Sequence, residues 1–373
     1  MNNDANSDSS LANPRPVTSA PDDLLSEGAR ARKLSGEVEG VKAIIEGTKL
    51  VNDVVLVRVL FALWDSGFYE YSLTHASFKV DDAAAELHLD AYILRCLLDY
   101  LIGRGIVSST NDEFGLTERG IRLSNILFSG TINLYVGGWG ALVDNIGPLL
   151  RKEMTQKDFI ALRSPTHTVR GTEQLGAIRT VSAVQQVLAA RNLKNVLHVA
   201  CRTGEFLIGL ARSEPSISGI GVDKASERIE IARRKAAKYS VDSRLQFITA
   251  DVGADSIPLD DESKNRIDVV VALYLLHEVG RHGRAKIIEF LQQVKREFPG
   301  RQFLFMETQP YTPPEGKRPP ATFTQLDYLL IHRIRGQGLP LPVDQWKSIV
   351  AETGLKLLEY KEVYWSGLYL AEM

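Results

Sequence analysis

The chain has 373 residues, 44% of them apolar and 24% charged, with 44 basic against 46 acidic side chains and a formal charge of -2. This is an ordinary globular composition, and its length exceeds what one compact core usually holds, so two domains and some tail are expected. The near-neutral balance, without a long Lys/Arg run, excludes a nucleic-acid binder, and no stretch reaches the roughly 18 uninterrupted apolar residues of a membrane span.

Residues 1–25, opening MNNDANSDSS, are polar and lack the basic start and apolar stretch of a secretory signal. They are expected to form a disordered leader on a soluble, cytoplasmic protein. The two cysteines, Cys96 and Cys201, are not at metal-ligand or redox spacing, and their apolar neighbours predict burial.

From Val41 to Gly67 apolar residues recur every three or four positions, which predicts helix. A short helix over Val80–Leu87, a longer one over Ala91–Arg104 and a small hairpin carrying Val107 and Phe114 then give the order of a winged helix-turn-helix, so 26–135 reads as a mainly helical winged-helix domain. A DNA reader would carry basic residues along the second helix, but Ala91–Tyr100 offers only Arg95. Burial against another subunit is the expected use of that helix. Residues 136–193 read as connector helices lining a cleft, with Trp139, Arg163 and Arg170 as candidates for substrate contact.

Beyond Lys194 the pattern changes to short β-rich runs alternating with helices. Strands are expected at Val196–Ala200, Ile217–Val222, Leu245–Thr249, Ile267–Leu273, Gln302–Glu307, Lys356–Val363 and Gly367–Ala371. The last two are linked only by Tyr364-Trp365-Ser366 and should form an antiparallel hairpin. The fold class is therefore α/β: a seven-stranded, doubly wound Rossmann-like domain over 194–373.

In such sheets the ligand sits at the carboxyl ends of the strands. The first strand runs into His198-Val199-Ala200-Cys201-Arg202-Thr203-Gly204. Only Gly204 keeps the register of a glycine-rich turn: Ala200 and Arg202 stand at the other two glycine positions, and His198 where an acid is usual. The second strand ends in Asp223, suited to accept hydrogen bonds from both ribose hydroxyls, and the third in Asp251, suited to the adenine amino group. Val252 and Leu273 border the same expected nucleoside pocket.

With these motifs the chain resembles, from about Val51 to its end, the bacterial and plant small-molecule methyltransferases that join a winged-helix dimerisation domain to a class I S-adenosylmethionine domain. The resemblance implies S-adenosylmethionine as cofactor, a small-molecule acceptor and a homodimer through the N-terminal domain. It also places His277, directly after the fourth strand, at the transferring methyl group, where related O-methyltransferases use a histidine as general base. The supporting acid those enzymes carry some fifty residues later is absent, and His332 occupies that region. His277, Glu278 and His332 are thus candidates for a facial set of ligands to a divalent or trivalent transition metal such as iron, as in the metal-dependent C-methyltransferases of 2-oxo acids in antibiotic and toxin pathways. Arg163 and Arg170 are the candidate anchors for a substrate carboxylate. Glu307, ending the fifth strand, would favour O-methylation if it orients His277, so both chemistries stay open, as does a non-methylating enzyme or a binding protein on the same fold, because the glycine-rich turn is so altered.

Overall fold

The computed structural model describes residues 37–253, 256–310, 325–338 and 340–373. The expected leader at 1–25 lies outside them. The described chain divides into two units between Val59 and Leu60. In the described part of the first, one helix, Glu37–Asp65, begins and presents Val41, Ile44, Ile45, Val51 and Val54 to the surface. Among the described residues no helix is long and apolar enough to cross a membrane.

The second unit starts with helices Phe68–Thr74, Val80–Leu87 and Ala91–Gly103, followed by a hairpin of β1 (Val107–Thr110) and β2 (Glu113–Leu116). Asn111 and Asp112 between the strands have φ of 51° and 65°, the left-handed pair that a two-residue hairpin turn requires. Asp90 caps the Ala91–Gly103 helix by accepting from the Ile93 N–H at 2.8 Å. That helix buries Leu94, Leu98 and Leu101, three- and four-residue spacing on one face. Cys96 is on the other face and is exposed, contrary to expectation, whereas Cys201 is buried.

The seven-stranded sheet has the order β5-β4-β3-β6-β7-β9-β8, with β3 Asn195–Val199, β4 Ser218–Asp223, β5 Leu245–Thr249, β6 Val269–Leu273, β7 Gln302–Thr308, β8 Lys356–Val363 and β9 Ser366–Glu372. β3 to β7 are parallel, and β9 enters antiparallel between β7 and β8. Both faces are covered, which is why β3, β4 and β6 read as nearly continuous apolar runs. On one face Val196, Val269 and Leu304 pack with Val184, Leu207 and Ile229 from helices Pro165–Ala190, Glu205–Ser213 and Ser226–Lys238. On the other, Leu197, Val270 and Phe303 pack with Ile287, Leu291 and Trp346 from helices Arg284–Glu297 and Val343–Glu352. The chain order reverses at β3, between β4 and β6, so the cleft at the carboxyl end of β3 is the switch point where ligands bind in such sheets.

Candidate active site

The β3 turn keeps the backbone that its altered sequence put in question. Ala200, Arg202 and Gly204 have φ of 55°, 54° and 77°, so the two substituted positions hold the left-handed conformation a glycine would adopt freely. Gly204 is also sterically required, because a Cβ there would lie 2.8 Å from the Phe247 ring. Asp223, at the end of β4, fastens this turn: its Oδ2 accepts from the Arg202 N–H at 3.0 Å and its Oδ1 from the Ala225 N–H at 3.0 Å. Both oxygens keep acceptor capacity for ribose hydroxyls. Asp251 is exposed and closes a local turn by accepting from the Gly253 N–H at 2.9 Å, and Val252 beside it is buried.

A cavity adjoins the turn. Thr172, Gly176 and Thr180, four residues apart along helix Pro165–Ala190, form one wall, and His198, Arg202 and Leu273 face it. Arg202 donates from one terminal nitrogen to the Thr172 hydroxyl at 2.9 Å. Glu173, on the same wall, accepts from the Thr203 hydroxyl at 2.5 Å; burial holds its carboxyl above the usual range, although the Thr203 hydrogen bond opposes this. His198 is 4% exposed and its Nδ1 has no partner, as has the Thr180 Oγ1. Burial, then the charge of Arg202, pull the His198 imidazole down to about 3, so it is neutral. A left-handed cradle, an acid at the β4 end and unpaired buried polar atoms together fit a nucleoside cofactor with a polar tail.

The second half of the site follows β6. His277 lies in a single helical turn, Leu276–Val279, and is 2% exposed. Its Nδ1 is 2.7 Å from Oε2 of Glu307, a side chain with no exposure at the end of β7, whose Oε1 accepts the Leu276 N–H at 2.6 Å. Burial pulls the His277 imidazole down, but the Glu307 charge and hydrogen bond, helped by Glu278, raise it above its ordinary value. The Tyr328 hydroxyl is 3.5 Å from His277 Nε2; burial first, then Glu307 and Glu278, raise that phenol. His332 stacks on Tyr328 with ring centroids 3.8 Å apart, and its Nδ1 is 2.8 Å from the Tyr328 carbonyl oxygen. Because a carbonyl only accepts, Nδ1 carries the hydrogen and Nε2 a bare lone pair; burial, then His277, hold the ring down to about 3. The His277 and His332 centroids are 5.6 Å apart. Trp139 packs edge-on against His332 at 5.6 Å, a wall of the site and not a solvent-facing contact residue.

The expected metal ligands His277, Glu278 and His332 are not gathered into one metal-binding group. Among the described residues no three His, Cys, Asp or Glu side chains stand at metal-binding spacing. Glu278 is on the exposed side of its turn, where its carboxylate makes no hydrogen bond or ion pair with a described residue. The expected arginines also separate. Arg170 turns away from the cleft, exposed, with its guanidinium 3.8 Å from Glu70. Arg163 faces inward: burial lowers it, and it senses Glu278, Arg228 and Arg202.

Beside Arg163 is an arginine that sequence reasoning missed. Arg335 is 6% exposed, its Nε has no partner, and burial followed by Arg163 pull it down to about 10. The segment carrying it is pinned by Gly338, where a Cβ would meet the His277 carbonyl. Tyr328 was also missed as a site residue. Its position four residues before His332 gave no signal, because an aromatic there reads equally as core.

A methyltransferase domain family matches residues 196–297, the stretch containing the β3 turn, both acids and His277. Two curated relatives align over most of the chain. A 2-ketoarginine methyltransferase from Streptomyces arginensis is 23% identical, covering 84% of this chain and 89% of its own. Methyltransferase ungE' from Aspergillus campestris (strain IBT 28561) is 26% identical, covering 83% and 91%. Among solved structures, an O-methyltransferase family protein from Burkholderia thailandensis superposes with a TM-score of 0.60 at 17% identity, covering 88% of this chain and 97% of its own. Human N-acetylserotonin methyltransferase, solved with S-adenosylmethionine, gives 0.62 at 16% identity, covering 91% and 99%. The chain is therefore a class I S-adenosylmethionine-dependent methyltransferase of the small-molecule type.

Proposed function

We propose that the protein transfers the methyl group of S-adenosylmethionine to the carbon beside the keto group of a small 2-oxo acid, with a divalent or trivalent transition metal such as iron held by His277 and His332. The observation that carries this reading is the matched tethering of the two imidazoles. Each binds an acceptor through Nδ1, Glu307 in one case and the Tyr328 carbonyl in the other, and directs Nε2 away from that acceptor. Such outer partners are what orient histidine ligands. Glu278, next in sequence to His277 but on the exposed side of its turn, would complete the set by turning its carboxylate toward the two imidazoles. A bound cation would polarise the keto oxygen and acidify the neighbouring carbon.

The remaining side chains act on the substrate. Arg163 and Arg335, which repel each other and share Glu278 as a neighbouring acid, take the substrate carboxylate. Trp139 and Tyr328 exclude water around it. The curated relative whose name specifies 2-ketoarginine supports a 2-oxo acid acceptor. The test is methyl transfer to a panel of 2-oxo acids before and after chelation: transfer lost with chelator and restored by metal supports the reading, and chelator-insensitive transfer to a hydroxyl overturns it.

One observation favours a second reading. The Glu307–His277 contact is also what a general base needs, so transfer to a hydroxyl through His277 Nε2 is the alternative. In either case we propose a homodimer, supported by exposed Tyr92 and Ile93 on helix Ala91–Gly103 and, separately, by the apolar surface of the N-terminal helix. Light scattering at micromolar concentration tests it, and a monomer there contradicts it. A cytoplasmic location and a role in secondary metabolism complete the proposal.

A further inference from the structure

Two of the three departures from the usual β3 turn, His198 for an acid and Arg202 for a glycine, bring polar side chains to one cavity. Arg202 holds a left-handed backbone that a glycine would adopt without strain, and it does so beside a ligand site, where such strain is characteristically retained. Its guanidinium reaches across the cavity to Thr172. That is the only hydrogen bond its guanidinium makes among the described residues, so most of its five donors are available there, with Glu173 as a neighbouring charge. In the same cavity His198 Nδ1, on β3, and Thr180 Oγ1, two turns along the helix from Thr172, are buried without hydrogen-bond partners among the described residues. A neutral imidazole offers a lone pair where an acid would offer a charge, and an arginine offers a cation where a glycine offers nothing.

We propose that these two residues act together on the amino-acid end of S-adenosylmethionine: Arg202, with Thr172, binds its carboxylate, and His198 accepts from its ammonium group. The chain thereby compensates for the lost acid by anchoring the opposite end of the zwitterion. The β3 cradle and Asp223 hold the nucleoside independently of this anchor. The inference rests on cofactor binding at β3, and the test separates the two.

Calorimetric titration with S-adenosylhomocysteine, which has the amino-acid end, and 5′-methylthioadenosine, which lacks it, reads the anchor directly. In Arg202→Gly, affinity for S-adenosylhomocysteine should fall about tenfold or more, the scale of a charge-assisted hydrogen bond, with methylthioadenosine unchanged. Arg202→Lys should recover part of the loss. Glycine suits the left-handed turn, so folding is preserved, and a melting curve verifies it. Unchanged affinity for S-adenosylhomocysteine, or equal loss for both ligands, would overturn the anchor while leaving the cofactor site standing. Wild-type protein that binds neither ligand would overturn the cofactor site itself.

Discussion

Oε2 of Glu307 lies 2.7 Å from Nδ1 of His277, while Oε1 of the same carboxylate accepts the backbone N–H groups of Leu276 and His277 at 2.6 and 3.3 Å. One carboxylate with no solvent exposure thus fixes both the turn that carries the histidine and the direction of its ring. Replacing Glu307 with Gln should lower methyl transfer about 10- to 100-fold, the usual effect of removing an orienting partner, with S-adenosylhomocysteine affinity unchanged. Glu307→Ala should in addition lower stability by about 1–3 kcal/mol, because buried donors lose their acceptor. Steady-state rates and thermal melts measure the two effects. Full activity in both variants would remove Glu307 from the mechanism.

His332 separates the two chemistries. In His332→Gln the metal content of the purified protein should drop by at least half and transfer should fall with it, while cofactor affinity stays within about twofold; a ligand histidine and a packing histidine differ in the first of these readouts. Elemental analysis beside the rate assay decides. Retained activity without metal would return His332 to the role of a ring packed between Trp139 and Tyr328.

How much of this could be read from the chain alone differs from element to element. Strands Leu245–Thr249 and Lys356–Val363 have the bounds that apolar periodicity predicts, and the other strands of the large sheet shift by no more than two residues at either end. Helix Pro165–Ala190 was legible only as part of the connector helices over 136–193, because its polar stretch with Arg170 and Glu173 carries no apolar stripe that marks where one helix starts and ends. Asp223 and His277 were readable because strand ends place them. Arg335 and Tyr328 were not: only tertiary packing tells an arginine beside the cleft from one on the surface of helix Gln325–Ile334 and its continuation. Arg170 shows the converse, a plausible anchor by position that the helix turns outward toward Glu70.

Arg163 and Arg335 provide the test of substrate charge. Replacing either with Gln should raise KM for an acidic acceptor roughly 10- to 100-fold, with kcat changed less, since hydrogen bonds to charged groups are worth about 1.5–3 kcal/mol. A neutral ester of the same acceptor should be insensitive to both substitutions. Equal effects on acid and ester would show that the arginines support the fold only.

Acid sensitivity follows from His198. Its imidazole titrates near 3 in the folded chain against 6.5 for the free group, so unfolding takes up a proton throughout that interval. The sign is that of a depressed base: its contribution is fully present above pH 6.5 and declines by about 1.4 kcal/mol per pH unit as the pH falls toward 3. His198→Leu should flatten denaturant-derived stability between pH 6 and pH 4 relative to wild type by about that slope. Parallel curves for the two proteins would show that His198 is solvated or paired.

The most direct test of the account is where the methyl group goes. Protein reconstituted with iron, given S-adenosylmethionine labelled with 13C in its methyl group and a mixture of 2-oxo acids, yields a product whose methyl environment carbon NMR reads at once. A methyl bonded to the carbon next to the keto group, formed only with metal present, is the predicted result; a methyl bonded to oxygen, formed equally without metal, would contradict it.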